Sequence, residues 1–95
     1  MLIEAVDVVT VALPLRHPWH TAAGTMSERT AVLVHVRGDE GDGWGECAAL
    51  PDPGYTSEYV AGAADVLRRH LIPALVGRRL GATDVGPALA PVVGH

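Results

Sequence analysis

The sequence predicts an α+β domain in which a three-stranded antiparallel meander sheet is followed by a helical segment. Three observations lead to this prediction: an early stretch rich in Val, Ile and Thr, two strand-like segments joined by a glycine-rich turn, and a later apolar stripe with helical spacing. With 95 residues, 48% of them hydrophobic, the chain can bury one small core.

The first strand is expected over residues 2–13. Val, Ile and Thr favour extended backbone there, and Pro14 marks the predicted end. Residues 14–29 show no periodicity and contain Pro18 and Gly24, so they predict a long loop.

The second and third strands are expected on either side of a polar turn at residues 38–43. Residues 30–37 alternate, which places Val32, Val34 and Val36 on one face and Leu33, His35 and Arg37 on the other. The third strand is expected over residues 44–49. The glycines at 41, 43 and 45 precede a strand and not a helix, so they favour a turn over a phosphate-binding loop.

Two helices should follow the sheet. Thr56 or Ser57 can cap the first, which should end at Pro73, and Thr83 can cap a second that reaches His95. The predicted apolar positions of the first helix are Val60, Ala63, Ala64, Leu67 and Leu71, and those of the second are Leu89, Val92 and Val93.

Composition excludes several classes of function. Eleven carboxylates against seven arginines, with no basic run, argue against a nucleic-acid partner. The absence of lysine rules out a lysine base or Schiff base within this chain. Cys47 is the only cysteine and the first residues resemble neither a secretion signal nor a membrane span, so we expect no membrane partner and a cytoplasmic location.

Few side chains in the chain suggest chemistry of their own. His17 and His20 form a His-x-x-His pair, but two imidazoles without a further ligand make a poor metal site, and a solvated loop is the favoured interpretation. Cys47 can be a nucleophile or, in preference, a small core residue. Glu46 can be a general acid or base, or equally a carboxylate held by Arg29 or Arg37.

Aromatic residues in two loops are better candidates for ligand contact. Tyr55 follows the turn Pro51-Asp52-Pro53-Gly54, which the prolines stiffen, and together with Leu50 it can present its ring to a ligand at little entropic cost. It can equally fold back over the helix start. Trp19 poses the same choice in the first loop.

Nearly the whole chain, and most specifically the segment from Gly43 to Pro73, resembles the enolase superfamily, closest to its branch of o-succinylbenzoate synthase and N-acylamino acid (N-succinylamino acid) racemase. The resemblance rests on WGEC at 44–47, the loop to Tyr55, SEY at 57–59 and VLRRHLIP at 66–73. In that superfamily such a chain is the N-terminal capping domain, so residues 1–95 would be one capping domain without the C-terminal (β/α) barrel.

The resemblance implies that the chemistry lies on the missing barrel. There, two lysines exchange a proton α to a carboxylate and three acidic residues hold Mg²⁺. It therefore implies no catalytic residue, metal ligand or cofactor in this chain, which alone should be inert. Joined to the barrel it would serve a small carboxylate substrate, in menaquinone biosynthesis for the synthase reaction, within a homo-oligomer.

The capping domain of the family contributes a lid made of two segments. The first lid segment corresponds to residues 18–26 and the second to residues 48–55. The substrate-contacting positions implied by the resemblance are Trp19, Ala23, Met26, Leu50 and Tyr55. The first segment departs from the racemase pattern, with alanine for serine at 22, alanine for an aromatic residue at 23, and tryptophan for phenylalanine at 19.

Two alternatives remain open at this point. The chain can be the cap of a dipeptide epimerase or muconate cycloisomerase relative, or a free-standing, non-catalytic domain that binds a partner through the same loops. A severed cap should expose apolar surface that a natural stand-alone domain would not.

Overall fold

Three strands followed by helices make up the fold, as the sequence predicts. The computed structural model describes residues 1–22, 24–54 and 56–95. Its principal elements are β1 (Ile3–Thr21), β2 (Gly24–Gly38), β3 (Gly41–Cys47), α1 (Val60–Val66) and α2 (Ala82–Leu89). The strands are antiparallel in the order β1-β2-β3, which confirms the meander.

The hairpin of β1 and β2 is longer than predicted, because residues 14–21 belong to β1 and residues 24–29 belong to β2, where a loop was expected. β1 continues through Pro14 and Pro18 to Thr21. Proline is tolerated there since β1 is an edge strand, whose outward N–H groups need no strand partner. The register shifts between Pro14 and Trp19, and the extra residues of β1 form a bulge that includes Pro18, while Pro14 still pairs with Glu28.

A two-residue turn, Asp39-Glu40, joins β2 to β3 and is shorter than the predicted turn. As a result, β3 begins at Gly41 and ends at Cys47 instead of spanning 44–49. Gly41 has φ +141°, a conformation that favours glycine because it has no Cβ.

The first helix begins later than predicted and has no side-chain cap. Tyr59 is its N-cap residue, so the predicted caps Thr56 and Ser57 are wrong. The first helical amide, Val60 N–H, donates instead to the carbonyl of Leu50 at 2.9 Å. A contact with a distant segment thus takes the place of the local cap.

Beyond α1 the chain stays helical but changes its pitch. A π-helical turn covers Leu67–Leu71 and a 3₁₀ turn covers Ile72–Ala74. Pro73 lies in this last turn, which confirms the predicted position of the helix end, since proline cannot donate the next backbone hydrogen bond.

The second helix starts at a different cap from the one predicted. Gly81 is the N-cap residue, and Thr83 lies inside the helix. The Gly81 N–H donates to Asp84 Oδ2 at 2.7 Å, while the Asp84 N–H donates to the Gly81 carbonyl at 3.0 Å. The Asp84 carboxylate thus accepts the amide hydrogen of the N-cap residue, and the Gly81 carbonyl, not a threonine hydroxyl, accepts the amide hydrogen of Asp84.

The same helix is also shorter than predicted. It ends at Leu89 and does not reach His95, because Pro91 cannot donate a helical hydrogen bond. Val93, expected on its apolar side, is 86% exposed. No helix in the described part of the chain has the length and apolar character that a membrane span requires.

One face of the sheet forms the core beneath α1. Val32 is fully buried, and Val34 lines a small cavity together with Cys47 of β3 and with α1. Ala63 and Ala64 are the buried residues of that helix. The predicted alternation of β2 is confirmed by the register, which places Val32, Val34 and Val36 on this face.

The opposite face of the sheet leaves large apolar side chains exposed. Val9, Leu13 and Trp44 are 45%, 56% and 64% exposed. His35 stacks on Trp44 with the ring centroids 4.1 Å apart, and its Nε2 lies 2.6 Å from Asp42 Oδ2. This cluster ties β2 to β3 but buries little apolar surface.

The chain segment before α2 closes the fold against the start of β1. Ile3 N–H donates to the Arg78 carbonyl at 2.9 Å. Asp39 accepts the Leu2 N–H at 2.8 Å and pairs with Arg79 at 3.1 Å. The Leu2 hydrogen bond, helped by the Arg79 guanidinium, lowers the pKa of the Asp39 carboxyl.

Candidate functional site

The first lid segment forms the tip of the β1–β2 hairpin. Trp19 of β1 and Met26 of β2 are direct cross-strand partners, so their side chains lie on the same face of the hairpin. Two further contacts tie the tip together: His20 Nδ1 lies 3.0 Å from Thr25 Oγ1, and Thr21 Oγ1 donates to the Gly24 carbonyl at 2.9 Å. These contacts join residues 19–21 of β1 to residues 24–26 of β2.

The second lid segment leaves the end of β3 and is held from two sides. The Arg29 guanidinium donates to the carbonyls of Ala48 and Ala49, at 2.5 and 3.3 Å. The next residue, Leu50, accepts the Val60 N–H at the start of α1. Both contacts fix the backbone of residues 48–50 near the base of the hairpin tip.

These two segments meet in one groove of about 630 Å³. Trp19 and Met26 line it from the hairpin, and Ala48 and Leu50 line it from the second segment. Trp19 is 60% exposed, whereas Met26 and Leu50 are half-buried. The walls are mainly apolar, and the charged side chain among the lining residues is Arg29.

The structure therefore brings together three of the five predicted contact residues: Trp19, Met26 and Leu50. The other two, Ala23 and Tyr55, lie outside the described residues.

The nucleophile and acid–base candidates have no catalytic arrangement around them. Cys47 is half-buried between β3 and α1, in agreement with a small packing residue. Glu46 is exposed, and within the described residues neither expected arginine holds it. Arg37 pairs with Asp7 at 2.9 Å, and Arg29 binds backbone carbonyls.

The histidine pair does not form part of a metal-ligand cluster. His17 and His20 lie on β1 and not in a loop, and His20 contacts Thr25. No group of three or more His, Cys, Asp or Glu side chains that could hold a metal ion occurs among residues 1–22, 24–54 and 56–95. The residues present therefore do not fit a Mg²⁺ site.

Sequence reasoning missed the role of Arg29, because it considered this residue only as a partner of Glu46. Arg29 and the carbonyls it binds are far apart along the chain and become neighbours only when β2 pairs with β3. An arginine near the start of a strand carries no sequence signal for such a contact.

Comparison with known proteins identifies this architecture. Residues 3–85 match the family described as mandelate racemase / muconate lactonizing enzyme, N-terminal domain. The chain is 42% identical to an N-succinylamino acid racemase of an Amycolatopsis species and 29% identical to an o-succinylbenzoate synthase of Enterococcus faecalis, each over the whole chain and 26% of the relative.

A solved structure agrees with the fold. An enolase-superfamily member from Listeria innocua superposes with a TM-score of 0.89 at 25% identity, over 99% of this chain and 26% of that one. The chain thus belongs to the N-terminal domain family of the enolase superfamily. It spans about a quarter of the length of the curated relatives it matches, and its described elements include no (β/α) barrel.

Proposed function

We propose that this chain is the lid, or capping domain, of an enolase-superfamily lyase or isomerase of the o-succinylbenzoate synthase or N-acylamino acid racemase type. The reaction, abstraction of a proton α to a carboxylate, would take place on a separate Mg²⁺-binding barrel. The chain would close over that barrel in the cytoplasm, exclude water and select the substrate.

One observation carries this proposal: two segments distant in sequence, 18–26 and 48–50, form a single apolar groove at one end of the sheet. A groove lined by Trp19, Met26 and Leu50 can surround the apolar part of a small ligand. Its open side is available to a second protein surface, as a lid requires.

The chemistry of the groove supports binding and not catalysis. The described residues that line it include no Asp, Glu, His, Cys or Lys side chain. The charged side chain among them, Arg29, is a hydrogen-bond donor without an acceptor atom. In this proposal the proton transfer depends on residues of the barrel, and the chain contributes by shaping the pocket.

A chimera tests the proposal directly. Residues 1–95 replace the matching N-terminal quarter of the Amycolatopsis racemase, with which they share 42% identity. We expect the chimera with Mg²⁺ to racemise N-succinylamino acids or to form o-succinylbenzoate, while the 95-residue chain alone is inert. A chimera no more active than the Amycolatopsis barrel without any cap would contradict the lid function.

The alternative of a free-standing binding domain makes a different prediction for the chain by itself. Trp19, Trp44 and Leu13 are each more than half exposed. A cap without its barrel should therefore bind the dye ANS or self-associate, and both effects should decrease when barrel protein is added. A monodisperse, dye-silent chain would favour the free-standing domain.

A further inference from the structure

We propose that Arg29 is a positioning residue of the lid, which sets the width of the groove by fixing Leu50 opposite Trp19 and Met26. Its action would be through the backbone of the second lid segment and not through contact with reacting atoms. The expected effect of Arg29 on substrate selection rests on the proposed function, whereas its expected effect on the position of residues 48–50 does not.

The contacts of Arg29 all go to backbone carbonyls. Nη1 donates to Thr30 O at 2.8 Å and to Ala49 O at 3.3 Å, and Nη2 donates to Ala48 O at 2.5 Å. The planar fork of a guanidinium can reach two successive carbonyls at once, which the single ammonium of lysine does less well. Arg29 thus clamps the chain at the two residues that precede Leu50.

The position of Leu50 is fixed by this clamp together with one other contact. Its own carbonyl accepts the Val60 N–H at 2.9 Å, and Leu50 forms an isolated bridge with Tyr59. The clamp therefore acts on one side of Leu50 and the helix start on the other. Without the clamp, residues 48 and 49 would keep no side-chain hydrogen bond among those the structure describes.

The electrostatics of Arg29 argue for this role over that of an ordinary surface ion pair. Arg29 is half-buried, and no carboxylate of the described residues pairs with it, whereas Arg37, Arg69 and Arg79 each pair with an aspartate. A partly desolvated guanidinium must be compensated by acceptors, and here the carbonyls of the second lid segment supply them.

The first arm of the test uses the 95-residue chain. Arg29→Met keeps the aliphatic stem and removes the guanidinium, and Arg37→Met is the matched control on the same strand and the same face. We expect amide NMR shifts and faster hydrogen exchange to concentrate at residues 48–50 in Arg29→Met and to be absent there in Arg37→Met. An unchanged second segment in a folded Arg29→Met chain would overturn the proposal.

The second arm measures selectivity in the chimera with the Amycolatopsis barrel. The probes are N-succinylphenylalanine and N-succinylalanine, compared by kcat/KM. Arg29→Met should change the ratio of the two kcat/KM values by about ten-fold, mainly through KM. Arg29→Lys should restore part of the original ratio. Equal losses on both substrates, or full recovery by lysine, would contradict a role in setting the groove width.

The two arms separate this inference from the proposed function. If the chimera with the parent cap is inactive, the lid function fails, while the NMR comparison still decides whether Arg29 positions the segment. If Arg29→Met does not fold, Arg29→Lys takes its place in both arms, with smaller expected changes at residues 48–50.

Discussion

The two ends of the sheet differ in how far they bury apolar side chains. Near α1, Val32 is fully buried and Ala63 and Ala64 are almost so. At the hairpin tip, Trp19 is 60% exposed although it is much larger than any of these residues. The same sheet thus supports a packed core at one end, whereas at the other end β1, β2 and the segment after β3 form an open apolar groove.

This difference shows which residues provide stability and which are available for binding. A buried valine contributes by leaving water on folding, whereas an exposed tryptophan contributes little until another surface covers it. The hairpin tip is instead held by backbone pairing and by contacts such as that of His20 with Thr25. Substitutions at the two ends should therefore have different effects.

The largest loss of stability is expected in the core. Val32→Ala should lower the free energy of unfolding by about 2 kcal/mol, because it removes two fully buried methyl groups and leaves a cavity. Val93→Ala, at a position 86% exposed, should change it by less than about 0.5 kcal/mol. Urea unfolding of both variants checks this, and similar losses would contradict the described core.

A second loss of stability is expected at Gly38, because other atoms lie close to its backbone. A Cβ added at Gly38 would lie 2.6 Å from the Met1 side chain and 2.7 Å from the Leu2 carbonyl oxygen. Gly38→Ala should therefore cost about 1–3 kcal/mol. Gly43→Ala, with no atom within 4 Å of the new Cβ, should be neutral or slightly stabilising. Thermal melting distinguishes the two.

Function should respond to the groove and not to exposed aromatics in general. In the chimera, Trp19→Ala should reduce kcat/KM by about ten- to a hundred-fold because it removes a groove wall. Trp44→Ala is the matched control, since it is 64% exposed but lies outside the groove. Equal effects of the two substitutions on kcat/KM would show that the groove has no specific part in the proposed function.

A smaller loss of stability is expected from a substitution at the start of α2. Asp84→Ala removes the acceptor of the Gly81 N–H and should cost about 1 kcal/mol. Asp65→Ala breaks only an exposed pair with Arg69 and should cost less than about 0.5 kcal/mol. Circular dichroism during urea unfolding measures both, and the reverse order would show that the cap is unimportant.

The smallest effect on stability should appear only at acidic pH. The pKa of Asp39 is lowered by the Leu2 hydrogen bond and by Arg79, so its contribution to stability is complete above the ordinary carboxyl pKa and is lost as pH falls through the lowered value. Asp39→Asn should flatten the decrease of stability as the pH falls below the ordinary carboxyl range. An unchanged slope would contradict this contribution.

The sequence predicted which strands and helices occur better than it predicted the residues at which they begin and end. Strand order and the apolar face of β2 could be predicted because alternation and turn residues are local signals. The caps could not, since Val60 finds its acceptor at Leu50 and not at a neighbouring hydroxyl. The prolines of β1 were misleading for a similar reason: their effect depends on whether the strand lies at an edge.

Of the candidate site, the resemblance predicted both lid segments, and their residues Trp19, Met26 and Leu50 do share a groove. Composition by itself determined that this chain contains no lysine base, because a missing residue type needs no fold to interpret. Tertiary structure alone decided that Arg29 binds the second segment and leaves Glu46 unpaired among the described residues. The physical reason is that hydrogen-bond partners are selected by distance in space, which a pattern along the chain does not encode.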